Sequence, residues 1–405
     1  MTAEATTANE IRLRVFGRTD VGQIREHNED NFLIADLTRK SRSLMEADRD
    51  QLVGPRGTVL GVCDGMGGAA AGEVASQLAV DIIYEKLVQG HPSDHNELAR
   101  GLVRAVEDAG ARIFNEARAD RTRRGMGTTA TIAALVDSRL FIAQVGDSRA
   151  YILRNAKLVQ VSRDQSLVNQ LIEAGQLTEE EAETFEHNNI ILQALGTAET
   201  VQVDLTFVDL RRGDVLLLCS DGLSGMIRSE EIREVLTTVP EPLEACRELT
   251  DRANRAGGHD NITVIVARFD GPSLSDPGPE DPPLTYQKYA LPEAPSEHEI
   301  AVRTLSTLPG EAATMPPSDE ARDPRRLRVG HTMVGLASAV TPEMLAAATE
   351  APGALRAQSS PPLAGYGPAD EPVELPTTGF PPSLVGFMVL GAMVLAAVAG
   401  FLLLR

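Results

Sequence analysis

Cysteine is scarce in this chain of 405 residues. Only Cys63, Cys219 and Cys246 occur, far apart and never in a CxxC spacing. That excludes a disulfide framework and a zinc–thiolate site, and suits reduced core residues in a cytosolic compartment. Cys63 and Cys219 sit in candidate strands with no CxxxxxR loop around them, which argues against a phosphocysteine mechanism. Positive charge is also short: 38 Lys and Arg stand against 58 Asp and Glu, for a formal charge of −20. The balance argues against a nucleic-acid partner, because phosphate backbones reward basic patches. It leaves room for a phosphate substrate wherever metal ions supply local positive charge. Residues 1–15, "MTAEATTANEIRLRV", contain no hydrophobic signal-peptide core. No long internal repeat is present.

What is there falls into four parts. Residues 1–10 read as a flexible N-terminus and 11–270 as globular. Candidate strands lie at 11–19, 31–35, 58–63, 129–136, 140–145, 215–219 and 262–269, several rich in Val, Ile and Leu. Helical patterns fall at about 72–88, where Val74, Leu78 and Ile82 recur every four residues, and at about 95–118. Others lie at about 164–174, 179–186, 229–238 and 241–256. Strands and helices come in blocks, with short turns such as "VDSR" at 136–139. That favours an α+β fold with antiparallel sheets over a doubly wound parallel one.

From 271 to 383 the composition shifts to Pro, Ala, Glu and Ser, which cannot bury enough apolar surface to offset chain entropy. A disordered linker is expected there. One island within it, 325–348, begins basic and turns apolar; it reads as a docking or phosphorylation segment around Thr332, or as a transient helix. Residues 384–404, "LVGFMVLGAMVLAAVAGFLLL", are uniformly apolar and uncharged. The run matches a bilayer core, about 20 residues of helix, and shows no polar face, so a membrane span is expected over a buried helix.

The chemistry begins at 61–75, "GVCDGMGGAAAGEVA", where a strand passes into a helix. Glycine turns at such places usually cradle phosphate, with lysine reaching the anion. Here no GK[ST] is present, and the first residue out of the strand is Asp64. One reading is a helix cap on a tight turn; the other is a carboxylate aimed at a hard cation. Further acids sit at candidate strand ends: Glu29 and Asp30 before "FLIA", Asp147 after "LFIAQVG", Asp221 after "DVLLLCS", and Asp260 before "NITVIVARF". Each alone is an ordinary turn residue. Together they would repel one another unless they share a cation, and hydrated Mg²⁺ or Mn²⁺ removes that cost. Two such ions can activate a water for in-line attack on phosphorus.

In order, "REHNED" (25–30), "DGMGG" (64–68), "MGTT" (126–129), "GDSR" (146–149), "DGL" (221–223) and "DN" (260–261) resemble the PPM-type, metal-dependent serine/threonine protein phosphatases, the 2C class, in a bacterial version. The match runs from about 12 to 269. The stretch from "SRDQS" onward resembles the family's mobile flap. The resemblance implies an α-β-β-α sandwich of two antiparallel sheets flanked by helices, with a dimetal site in a cleft at one end. It implies that Asp64 bridges two Mn²⁺ or Mg²⁺ ions, that the Gly65 carbonyl binds one, and that Asp221 and Asp260 hold the other. Glu29 and Asp30 act through waters, and Asp147 with Asp221 matches a weaker third site. Arg25 clamps the substrate phosphate, for which a guanidinium fork is suited; its bland reading is a surface salt bridge. Asn261 orients its neighbours. Many eukaryotic relatives carry a histidine where this chain has Met66. Methionine donates no proton, so the leaving alcohol must take one from water or another group, with His27 and His259 as candidates.

The implied activity is hydrolysis of phosphoserine and phosphothreonine in proteins, opposing bacterial Ser/Thr kinases, whose substrates and whose own phosphorylated forms are the expected partners. A catalytically silent phosphoprotein-binding scaffold is the rival, but a scaffold should have lost the carboxylates. A hydrolase of small phosphate esters differs only in cleft shape. "LPTTG" at 375–379 matches a sorting signal; without an export signal it reads as chance. The expected topology is a single-pass tail anchor with the catalytic domain on the cytoplasmic face and Arg322 to Arg328 on the inner side. Ala392, Ala396 and Gly400 recur every four residues, permitting a membrane-helix dimer.

Overall fold

The computed structural model describes residues 10–42, 49–67, 71–92, 94–182, 185 and 189–292. The chain opens with β1 (Arg12–Asp20), β2 (Asn31–Asp36), β3 (Ser41–Arg42), β4 (Asp50–Leu52), β5 (Thr58–Cys63) and β6 (Gly65–Met66). Two long helices follow, α1 (Ala71–Gln89) and α2 (His95–Ala119). Then come β7 (Gly127–Thr128), β8 (Ala130–Val136), β9 (Arg139–Val145), β10 (Arg149–Arg154) and β11 (Lys157–Gln160), with the short helices α3 (Leu167–Glu173) and α4 (Glu179–Ala182). β12 (Asp204–Asp209), β13 (Val215–Cys219), α5 (Asp221–Ser224), α6 (Ser229–Thr238), α7 (Pro242–Arg255) and β14 (Ile262–Asp270) complete the series.

Central strands here are apolar on both faces, and side chains alternate between the faces, so each sheet needs cover twice. In β5, Val59 and Cys63 pack towards the first helix pair while Leu60 and Val62 face the other way. β14 does the same: Ile265, Ala267 and Phe269 point to one core, Ile262, Val264 and Val266 to another. The result is two six-stranded antiparallel sheets, ordered β11-β10-β13-β14-β1-β4 and β12-β9-β8-β5-β2-β3. A middle core lies between them. α1 and α2 cover the second sheet, and α5, α6 and α7 the first. The α-β-β-α arrangement that the resemblance implies is what forms.

All seven expected strands are found within a residue at either end. β10, β11 and β12 had no place in that reading. The β10–β11 hairpin turns on Asn155 and Ala156, both with positive φ (51° and 61°). An alanine there hides a turn that Asn-Gly would have announced.

The ordered body also runs past Asp270, where the disordered linker was expected to start. Leu274 is buried, and Asp281 receives two bonds from Arg211, at 2.9 and 2.8 Å. Tyr289 N donates to Leu205 O at 2.7 Å and Phe207 N to Gln287 O at 3.2 Å, adding a bridge to the open edge of β12. The Tyr289 ring meets Phe141 and Phe207 edge-on, with centroids 5.0 and 5.4 Å away. Two tyrosines and a leucine make residues 271–292 a strap, despite six prolines. No helix among the described residues is long and apolar enough to cross a membrane. The 325–348 island, "LPTTG" and the 384–404 run lie outside the described residues.

Candidate active site

Antiparallel pairing brings the end of one strand beside the start of the next, and this gathers the acids. Asn31 of β2 is opposite Cys63 of β5, so Asp30 and Asp64 leave the sheet together. Cys219 of β13 is opposite Val264 of β14, so Asp221 and Asp260 emerge side by side from the other sheet. Ala130 of β8 is opposite Val145 of β9, which puts Asp147 at the same end as the start of β8. Asp64 feels the charges of Asp30, Asp221, Asp147 and Asp260, and its carboxyl is in hydrogen-bonding contact with that of Asp221. Glu29 lies within electrostatic reach of Arg25 and Asp260.

The backbone around Asp64 is fastened from three sides. Its N–H donates to Thr129 Oγ1 at 3.0 Å, and its carbonyl accepts from Thr129 N and Thr128 Oγ1, both at 2.8 Å. Thr129 Oγ1 in turn meets Ser148 Oγ at 2.8 Å. At Gly65 a Cβ would stand 2.3 Å from Gly72 O and 2.4 Å from Glu29 O, so only glycine lets α1 and the Glu29 loop close on it. At Gly222 a Cβ would stand 2.0 Å from Asn261 O. Gly68, the last residue of "DGMGG", lies outside the described residues.

Electrostatically the cluster is unstable as an array of bare anions. Burial, then Asp221 and Asp260, push Asp30 up to about 7 against bonds that favour its charged form. Burial, then Asp221 and Asp164, push Asp147 up to about 7. Burial and the four neighbouring aspartates hold Asp64 well above the usual carboxylate range, and burial with Asp260 raises Asp221. Three buried carboxylate oxygens, Asp30 Oδ1, Asp147 Oδ1 and Asp221 Oδ1, have no hydrogen-bond partner. Unpaired buried carboxylate oxygens are costly. Hard oxygen donors at this density fit divalent Mg²⁺ or Mn²⁺.

Among the described residues, no three His, Cys, Asp or Glu side chains are already drawn tightly enough to hold an ion. Arg25 Nη2 sits on Asp260 Oδ2 at 2.7 Å. An ion of this class also retains several waters, so few protein ligands need converge.

Each residue expected at the site is therefore at this end of the sandwich. Arg25 is more than half exposed at its rim. Asn261 orients, as expected: its Oδ1 accepts from Glu29 N at 2.8 Å, and its Nδ2 donates to Val21 O and His27 O at 3.0 and 2.9 Å. His27 and His259 are exposed. The three thiols are buried, and burial pushes Cys219 and Cys246 up to about 12 and Cys63 higher still.

Three supporting groups were not anticipated. Ser220 Oγ donates to Asp30 Oδ2 at 2.8 Å, linking the sheets, and accepts from Thr263 N at 2.9 Å. Thr129 anchors Asp64, and Arg149 Nε grips Asp164 Oδ2 at 2.7 Å, placing a further buried acid near Asp147. The serine beside Asp221 in "CSDG" and the second threonine of "MGTT" were the available signals.

The protein phosphatase 2C family model matches residues 42–255, more than half of the chain. The serine/threonine phosphatase stp of Listeria monocytogenes is 36% identical over 254 residues, covering 62% of this chain and 94% of its own. The structure of the serine/threonine phosphatase PstP/Ppp of Mycobacterium tuberculosis superposes with a TM-score of 0.56 at 35% identity, over 64% of this chain and all of its own. The catalytic domain of PstP in complex with two manganese ions gives a TM-score of 0.54 at 35% identity, with the same coverage. With its acids delivered by the matching strands, this chain belongs to the protein phosphatase 2C family and is a serine/threonine phosphatase.

Proposed function

We propose that the acid cluster is a dinuclear Mn²⁺ or Mg²⁺ centre that hydrolyses phosphoserine and phosphothreonine in proteins. The observation that carries it is the trio of buried, unpartnered carboxylate oxygens on Asp30, Asp147 and Asp221 around Asp64. Asp64 and the Gly65 carbonyl would hold one ion, and Asp64, Asp221 and Asp260 the other. Glu29 and Asp30 would hold its waters, and Asp147 with Asp221 a weaker third ion. Bound there, the ions supply positive charge to the phosphoryl oxygens and lower the pKa of water.

The chain's own groups do the rest. Thr128 and Thr129 fix the Asp64 backbone, and Ser220 fixes the Asp30 carboxylate. Arg25 swings from Asp260 to the incoming phosphate, to which its fork can donate twice. Met66 gives no proton, so the departing serine or threonine oxygen takes one from water, or from His27 or His259 on the rim. Chelator-sensitive hydrolysis of a phosphopeptide by the full chain in detergent, abolished in Asp221→Asn, tests the reading. Undiminished turnover in that variant overturns it.

The 384–404 run supports a single-pass anchor by its length and lack of charge, with the domain on the cytoplasmic side, where kinases and their substrates lie. Carbonate extraction of membranes checks the anchor, and recovery in the soluble fraction rejects it. Ala392, Ala396 and Gly400 support helix pairing; crosslinking unaffected by Gly400→Leu argues against it.

A further inference from the structure

At the far end of α1 from the acids, a cavity of ≈ 350 Å³ opens between the end of α1, the start of α2 and the turn around Arg56. Gly72, which packs on Glu29, and Leu87, which lines the cavity, are about 22 Å apart along the helix by its rise per residue. The cavity is therefore separate from the centre described above.

Its lining runs against the charge of the whole chain. Arg56, Lys86, His91, Arg100 and Arg104 face Glu97 as the one acid, in a protein whose acids outnumber its bases by 58 to 38. Lys86 has its carboxylate partner, Asp108, outside the lining, at 2.6 Å. Arg56 donates to the carbonyls of Val88 and Gly90, at 2.5 Å to the first, and so is rigidly placed at the end of α1. Arg100 Nη2 reaches Pro292 O at 3.3 Å, which fixes it against the strap. The Nε atoms of both arginines are buried without a partner, so neither guanidinium is satisfied by the protein. Leu37, Leu87 and Leu98 supply an apolar wall.

Fixed guanidinium groups beside an apolar wall recognise an oxyanion carried on an organic body, and the volume is that of a small-molecule site. We infer that this cavity is a second, non-catalytic binding site for a small organic dianion, bearing a phosphoryl or phosphonyl group on an apolar moiety. The inference does not depend on the dinuclear reading.

Calorimetry with phenylphosphonate tests it, using the full chain in detergent and a chelator to keep ions from the catalytic end. One site per chain is expected, with at least tenfold weaker binding of inorganic phosphate, which lacks the ring. Arg104→Glu, at an exposed position, should weaken phenylphosphonate binding at least tenfold, while Arg104→Lys, which keeps the charge and loses the fork, should weaken it less than Arg104→Glu does. Metal-restored turnover of p-nitrophenyl phosphate, unchanged in Arg104→Glu, shows that the variant is folded. Arg25→Ala should bind as wild type does. Absence of binding, indifference to Arg104→Glu, loss in Arg25→Ala, or equal affinity for inorganic phosphate each overturns the proposal.

Discussion

Arg25 Nη2 donates to Asp260 Oδ2 at 2.7 Å, so the guanidinium suited to a phosphate rests on a carboxylate suited to a cation. A cation held by Asp260, as proposed, would compete with the arginine for that oxygen. Filling the centre would then free Arg25 for substrate. A charge-assisted bond is worth about 1.5–3 kcal/mol, so Arg25→Ala should raise KM for a phosphopeptide about 10- to 100-fold, with a smaller change in kcat. Steady-state kinetics at saturating Mn²⁺ measures both, and an unchanged KM would remove Arg25 from substrate binding.

Asp30 and Asp147 give the metal-free protein an unusual response to pH. Both are pushed up to about 7, first by burial, whereas unfolded aspartate titrates near about 4. Below about pH 4 both states are protonated and the stabilisation is complete. As pH rises towards 7 the unfolded chain releases protons that the folded chain retains, so stability falls through that window. The melting temperature of chelator-treated protein should drop from pH 5 to pH 8. Mn²⁺ should raise it more at pH 8 than at pH 5, and Asp30→Asn should flatten the slope. A level profile in the wild type contradicts this account.

Thr129 touches no substrate, yet it anchors Asp64 through both its hydroxyl and its N–H. Thr129→Val keeps the shape and removes the hydroxyl. Groups that hold a metal ligand typically contribute 10–100-fold to affinity, so Mn²⁺ activation should shift to concentrations about 10–100-fold higher. Maximal turnover should be largely recovered at saturating metal. Titration of activity with Mn²⁺ separates this from a catalytic loss, which saturation would not repair.

The strap predicts where the domain can be cut. Tyr289 stacks edge-on against two phenylalanines, each such pair contributing about 0.5–1.5 kcal/mol beyond burial. Tyr289→Ala should lower unfolding free energy by about 2 kcal/mol without altering turnover. A chain ending at 292 should outlast one ending at 270 under urea. Equal midpoints would mean that the strap adds nothing to the fold.

How far the site was readable depended on what kind of signal each residue leaves. Asp64, Asp147, Asp221 and Asp260 follow or precede apolar strands, and an acid at such a boundary stands out. The bracing groups do not: Ser220 and Thr129 have ordinary residue types, and their roles come from contacts 190 and 65 positions away. The main strands were visible through their continuous Val, Ile and Leu. β12, "DLTFVD", mixes charge with apolar residues because it forms an open edge. The strap was hidden by composition: proline marked residues 271–292 as linker, while the contacts that order them are made by Tyr286, Tyr289 and Asp281.

The depth of the three thiols has a bearing on oxidative stress. Peroxide attacks thiolates, and Cys63, Cys219 and Cys246 are enclosed and held protonated. Oxidant that silences enzymes dependent on a reactive sulfur meets no exposed thiolate at these three positions.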